Sequence, residues 1–323
     1  MKKNIAVVMG GYSSEVEISL QSGTVVFNHI NKDIYTPYKV HILPEKWVVV
    51  ENGIEFAIDK NDFSFVREGL KITFDCVFNA IHGAPGENGS LLAYFDLINL
   101  KHTSAPFYQM ALTFNKRDTL SVVKHYGIPT AKSVYFNKGN VYSEDAIIEK
   151  VGLPCFVKPN NAGSSFGISK VHTKEELNPA IEKAYKEDSE ILIESFLDGT
   201  EVSVGVIEYK GEVIVLPITE IVSENDFFDY EAKYLGKSQE ITPARLTKQQ
   251  EVRVKEVSKK VYEILGMSGF SRSEYILVND EPHFLEMNTV PGLTEASILP
   301  QQANIHGISL TDLFGNAIEA ALR

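Results

Sequence analysis

A multi-domain α/β protein is what this sequence predicts, on three observations. The chain has 323 residues, too many for one small hydrophobic core, which suggests two or three domains. Residues 1–104 alternate strand-like and helical runs, the pattern of a parallel α/β layer. From about residue 130 onward, further strands accompany helices that carry their own start and stop signals. No internal repeat or low-complexity linker is visible, so the domains are expected to pack closely around a shared site.

The first strand is Ile5-Ala6-Val7-Val8-Met9, ended by Gly10-Gly11. Met1-Lys2-Lys3 imitates the start of a secretory leader, but the apolar run behind it is too short for one. An amphipathic helix over residues 15–30 follows, then periodic apolar runs at 37–43, 75–81 and 91–100. A helix is expected near Lys116 to Tyr126, closed by Gly127 and Pro129. Strands are expected at 131–136, 155–159, 168–171 and 190–196. Among them, Thr173 and Glu176 form a capping box, and Asn178-Pro179 interrupts the helix where it can restart. Strands at 201–207 and 213–221 precede a polar stretch from Phe227 to Gln239. The next helix has Thr247 and Gln250 as its capping box, a stripe of Val254, Val257, Val261 and Ile264, and Gly266 as its stop. The expected divisions are 1–104, 105–197 and 198–323.

With 44% hydrophobic and 23% charged residues, the composition is that of an ordinary soluble globular protein. A net charge of −12 and a pI near 5.2 argue against a nucleic-acid or anionic-membrane surface. A small anionic ligand is still compatible, because local cations and backbone N–H groups override the global field. Cys76 and Cys155 each sit in an apolar strand-like run, so buried thiols in a reducing compartment are expected. No segment approaches the roughly 20 apolar residues of a membrane span. A cytoplasmic location is expected.

The segment from Arg272 to Gly292 carries the most chemistry. Two strands, residues 275–278 and 282–287, are joined by the turn Asn279-Asp280-Glu281-Pro282. Glu286 and Asn288 are two apart and point the same way on a strand. A hairpin partner brings Glu274 beside them. Two carboxylates and an amide make a hard-oxygen site suited to Mg²⁺. Arg272 and the backbone of Pro291-Gly292 are near enough to hold a developing negative charge. Acidic residues on a solvated strand face are the alternative.

Other motifs admit two readings each. The turn Gly10-Gly11-Tyr12-Ser13-Ser14-Glu15 has the place of a phosphate cradle between strand and helix. Its Glu15, however, would repel phosphate and suit an ammonium group, or simply favour the helix start. The glycines of His82-Gly83-Ala84-Pro85-Gly86-Glu87-Asn88-Gly89 suggest a close backbone approach; a tight turn with a surface histidine is the alternative. Lys158 ends a strand before the small-residue loop Gly163-Ser164-Ser165-Phe166-Gly167, which suits phosphate oxygens. Gly236-Lys237-Ser238 is no P-loop, since Glu231 stands where the first glycine belongs.

Taken together, these motifs resemble the ATP-grasp ligases and, within them, the D-alanine–D-alanine ligase family, from Gly10 to the final helix. The resemblance implies a three-domain ATP-grasp architecture, an N-terminal α/β domain with ATP held between the central and C-terminal ones. It implies ATP-dependent joining of two D-alanines through an acyl phosphate, for peptidoglycan synthesis. The metal ligands would be Glu274, Glu286 and Asn288, holding two Mg²⁺ ions that Mn²⁺ can replace. Lys116, Lys158 and Ser165 would serve the phosphates. Glu194, Ser195 and Leu197 would offer groups to adenine, and Glu201 would hold the ribose. Glu15 would take the first ammonium group, with His82 beside that substrate. Lys233 and Ser297 would bind the second carboxylate. Tyr234, Ser164 and Glu15 would form a hydrogen-bonded set beneath a lid around Phe227 to Gln239. Arg272 and the Gly292 N–H would stabilise the oxyanion. A homodimer is expected.

Family members usually have aspartate at the position of Glu274, glycine at Ser271, a small or polar residue at Leu92, and in some cases lysine at Ser195. A related ligase using D-lactate or D-serine is one alternative function. A non-catalytic nucleotide or amino-acid sensor is the other.

Overall fold

A computed structural model describes residues 2–163, 166–223 and 238–323. In its first sheet, β1 (Lys3–Gly10) lies between β2 (Tyr35–Ile42) and β7 (Cys76–Asn79), parallel to both. Ala6 and Val8 bury into one core, while Ile5, Val7 and Met9 bury into a second. A strand covered on both faces must be apolar throughout, which is why β1 shows no alternation. The second face is covered by the helix Val16–His29, through Val26, and by the last helix, Leu310–Leu322, through Phe314 and Ile318.

The sheet is not purely parallel, as the sequence pattern suggested. β3 (Trp47–Glu51) and β4 (Ile54–Ala57) add an antiparallel edge to β2, and β5 (Phe65–Arg67) and β6 (Leu70–Ile72) pair with each other in a small separate sheet. Asn52 and Gly53 join β3 to β4 at positive φ, 52° and 80°. That dipeptide between apolar runs is a strong local hairpin signal, which the alternation of strands and helices does not include.

The second sheet is antiparallel, in the order β10 (Ser169–Val171), β9 (Cys155–Pro159), β11 (Glu190–Ser195), β8 (Ser133–Asn137). The Thr173–Glu176 capping box opens a 3₁₀ turn, Lys174–Glu176. An α-helix, Leu177–Ala184, restarts immediately, with Pro179 in its first turn where no intrahelical donor is lost. The helix at Lys116–His125 is capped by the Asn115 side chain, and Gly127 follows it at positive φ.

The third sheet runs β15 (Ser238–Ile241), β14 (Thr219–Ser223), β12 (Thr200–Tyr209), β16 (Phe270–Val278), β17 (Glu281–Asn288), with β13 (Glu212–Val215) also on β12. The helix Lys248–Ile264 has the expected Thr247–Gln250 capping box and buries Val254, Val257 and Val261. Among the described residues, no helix is long and apolar enough to cross a membrane.

Cys76 and Cys155 are free, buried thiols. Burial pushes Cys76 up to about 12 and Cys155 up to about 11. Almost no thiolate forms near neutrality, so neither cysteine should react while the fold holds. Iodoacetamide at about pH 8 is expected to leave the native protein unlabelled and to modify both cysteines after denaturation; prompt labelling of either in native protein would contradict this burial.

Candidate active site

The centre of the site is the β16–β17 hairpin. Its two-residue turn, Asn279-Asp280, has positive φ at both positions, which sets Val278 opposite Glu281. From there the pairing brings Glu274 opposite Glu286 and Arg272 opposite Asn288. The pairing shifts by one residue between Glu274 and Tyr275, beside the position where this chain carries the longer acid. The other departures are equally accommodated. The buried Ser271 hydroxyl donates to the Val206 carbonyl at 3.1 Å, and Leu92 lies wholly in the core.

The carboxylates of this pair face cations. Arg272 donates to Glu274 and, at 2.9 Å, to the Ser203 hydroxyl. Lys116 lies 3.1 Å from Glu286 and donates to the Ala162 carbonyl at 2.7 Å. The Lys116 side chain is only 11% exposed, unlike the solvated lysine that usually decorates a helix. Its N–H bonds the Asn160 carbonyl at 3.3 Å, and Asn160 Oδ1 accepts from Arg117 N–H at 2.8 Å. The start of the Lys116 helix is thus tied to the loop behind β9.

Lys158 meets Glu194 at 2.8 Å. Burial alone would lower its pKa, but the carboxylates of Glu194, Glu286 and Glu201 outweigh it and hold it above the usual lysine value. Glu194 therefore contributes a carboxylate to the lysine, on a strand end assigned to adenine. Ser195 N–H bonds the Lys132 carbonyl at 2.9 Å, and its hydroxyl accepts from Lys132 N–H at 3.1 Å. Leu197 follows, half-buried.

Glu15 sits at the N-cap of its helix, yet its side chain makes no capping bond. A Cβ built on Gly163 would lie 2.7 and 3.0 Å from the Glu15 carboxylate oxygens, so the glycine-rich loop starts directly against Glu15. A side chain at 163 would require the Glu15 carboxylate to move away. Gly292 is placed similarly, since a Cβ there would lie 2.7 Å from the Ser297 hydroxyl. His82 is buried rather than on the surface. Its Nδ1–H donates to the Val290 carbonyl at 2.8 Å, and its Nε2 lies 2.9 Å from Ser22 Oγ. Burial lowers its pKa, and Glu15 and Arg272 both lie within electrostatic reach of it. Ser164, Ser165, Lys233, Tyr234 and the expected Phe227–Gln239 lid up to residue 237 lie outside the described residues; the lid's last two residues, Ser238 and Gln239, begin β15.

The donor set suits a small divalent cation. Two opposed carboxylates and an amide offer hard oxygens. Asn288 Nδ2 is buried and has no hydrogen-bond partner, whereas an amide turned to present its oxygen there would be satisfied by a cation. Among the described residues, no three His, Cys, Asp or Glu side chains gather as a metal cage, so the amide would have to serve as a ligand.

Comparison with known proteins settles the family. The chain matches the model described as D-ala D-ala ligase N-terminus over residues 4–105, and that of the D-ala D-ala ligase C-terminus over residues 122–319. The chain belongs to the D-alanine–D-alanine ligase family. It is 65% identical over 321 residues to the D-alanine–D-alanine ligase of Flavobacterium johnsoniae, covering 99% of each chain. Among solved structures, it resembles the D-Ala:D-Ser ligase of Enterococcus faecalis (32% identity, TM-score 0.86, 99% of each chain). It also resembles the D-alanine–D-alanine ligase of Bacillus anthracis complexed with ATP (25% identity, TM-score 0.79, 99% of this chain and 97% of that one). The family has the ATP-grasp fold and makes D-alanyl-D-alanine for peptidoglycan as an ADP-forming ligase.

Within this family frame, the sequence motifs converge: Lys116, Lys158, Glu194, Arg272, Glu274 and Glu286 form one charge network. Two participants escaped the sequence reading. Ser203 carries no motif and meets Arg272 only through the pairing of β12 with β16. Glu87 was visible inside the glycine-spaced turn but went unassigned. It is buried, and burial, with the Glu15 carboxylate adding, pushes it up to about 7.

Proposed function

We propose that this chain joins two D-alanines in the cytoplasm, as a homodimer, with the roles divided among segments 1–104, 105–197 and 198–323. The first carboxylate attacks the γ-phosphorus of ATP, and ADP leaves as the acyl phosphate forms. Lys116 and Lys158 hold the phosphate charge, and Glu201 holds the ribose beside the 194–197 strand end. When bound, Mg²⁺ (two ions, or Mn²⁺ in their place) neutralises the triphosphate from Glu274, Glu286 and Asn288. Glu15 orients the first ammonium group, with His82 near that substrate and Ser297 at the second carboxylate. The second amine, having lost its proton, attacks the activated carbonyl. Arg272 and the Gly292 N–H hold the tetrahedral oxyanion until phosphate leaves.

The observation that carries this reading is Glu274 set opposite Glu286, with Arg272, Lys116 and Lys158 gathered around them. A sensor needs no such array of phosphate and oxyanion partners. The likeness to a D-Ala:D-Ser ligase keeps D-serine as the second acceptor to test. Phosphate release from ATP should require D-alanine, and product analysis with D-alanine, D-serine and D-lactate in competition should give mainly the D-alanyl dipeptide. Mostly mixed dipeptide or ester would overturn the acceptor, and nucleotide binding without phosphate release would favour the sensor.

A further inference from the structure

The oxyanion donor assigned above, the Gly292 N–H, lies in the segment 289–293 that follows β17. That segment is held on both sides of Gly292 by side chains from residues 22–87. Upstream, Glu87 Oε1 accepts from the N–H groups of Thr289 and Val290, at 3.2 and 3.4 Å. Its other oxygen accepts from Gly83 N–H at 3.1 Å. The Val290 carbonyl accepts from His82 Nδ1–H at 2.8 Å. A carbonyl can only accept, so this bond fixes the tautomer and leaves Nε2 as the acceptor for Ser22 O–H, 2.9 Å away. Downstream, the same Ser22 oxygen accepts from Leu293 N–H at 3.3 Å.

Each group in this chain is buried: Ser22 completely, His82 and Glu87 at 5% and 8% exposure, Val290 and Leu293 among the core residues. Buried polar groups with no water to fall back on hold geometry firmly, because each broken bond leaves an unsatisfied partner. Gly292 has no side chain to anchor it, and its own neighbours fix its amide direction.

We propose that Ser22, His82 and Glu87 are positioning residues that together aim the Gly292 amide, and so couple the first-substrate loop to the oxyanion site. The assignment rests on the ligase reading of Gly292. It gives His82 a place in the reaction as a strut, with both ring nitrogens engaged within the protein. Glu87 is the keystone because its two oxygens accept from two different segments. A glutamine of the same shape offers one accepting oxygen and one amino group, which would face an N–H donor on one side and break one of the two connections.

Glu87→Gln, Ser22→Ala and the double variant would be compared with the wild type in three measurements. These are steady-state ligation normalised to the folded fraction, the KM for ATP, and amide exchange of the peptide spanning 289–293. The expected result for Glu87→Gln is a kcat lowered about 10²-fold, the scale of a misplacement near 1 Å. The KM for ATP should stay within about twofold, since the nucleotide contacts lie elsewhere, and exchange at 289–293 should accelerate. Ser22→Ala should fall in the same direction and combine with Glu87→Gln non-additively, because both act on one segment. An unchanged kcat per folded molecule in Glu87→Gln, or unchanged exchange at 289–293, would overturn the proposal. A wild type that forms no dipeptide would instead refute the ligase reading, and the exchange measurement would still decide whether the clamp exists.

Discussion

Glu286→Gln is expected to abolish ligation while leaving the fold intact. Glutamine keeps the shape of glutamate and the strand position opposite Glu274, and Lys116 retains its bond to the Ala162 carbonyl. What disappears is one of the two carboxylates proposed to hold the Mg²⁺ that offsets the triphosphate charge. Loss of a single stabilising group at such a centre costs about 10²–10³ in kcat, and loss of a charged residue proposed to hold Mg²⁺ should cost at least that. Unfolding midpoint and ATP-dependent dipeptide formation, measured on the same preparation, separate stability from chemistry. Turnover near the wild-type level in folded Glu286→Gln protein would remove Glu286 from the metal site.

Arg272→Ala is expected to cost both stability and activity, by separable routes. The guanidinium and its Glu274 partner expose only 14% and 8% of their side chains. Removing the cation leaves the Glu274 carboxylate buried without its countercharge, a loss of about 3–5 kcal/mol. Replacing both partners with apolar residues of similar volume removes the stranded charge as well, and such swaps are often neutral or stabilising. The pair Arg272→Met with Glu274→Leu should therefore recover most of the unfolding free energy lost in Arg272→Ala. Neither protein should make dipeptide: both lose the proposed cationic partner of the oxyanion, and the double variant also loses the proposed Glu274 metal ligand. Recovery of activity along with stability would mean that Arg272 and Glu274 serve only as a structural ion pair, and would remove Glu274 from the metal site.

Local patterns made much of this molecule legible in its sequence. Capping boxes at Thr173 and Thr247 act within four residues, and both formed. The turn Asn279-Asp280 fixed a register, and a strand's period of two then put Glu286 and Asn288 on the side of Arg272 and Glu274. What stayed hidden depends on contacts distant in the chain. Ser203 reaches Arg272 across 69 residues and Glu87 reaches Thr289 across 202; no local pattern marks such a partner. The Lys158–Glu194 pair is intermediate, since both strands were expected but their antiparallel alignment was not. The β3–β4 edge is marked locally by Asn52-Gly53, but strand alternation with helices does not distinguish a purely parallel sheet from one carrying an antiparallel edge.

The last helix, Leu310–Leu322, buries Phe314 and Ile318 in the same core as Ile5, Val7 and Phe78. The beginning of the chain is thus completed by residues some three hundred positions later. During synthesis, the helix Val16–His29 can cover only its share of that face of the sheet, and the part that Phe314 and Ile318 fill must wait until nearly the whole protein has left the ribosome, a period in which aggregation competes with folding. A fragment cut at residue 104 would keep that helix but leave the Phe314 and Ile318 part of the face uncovered permanently. The boundary that divides the sequence so clearly between strand patterns is therefore a poor place to divide the molecule.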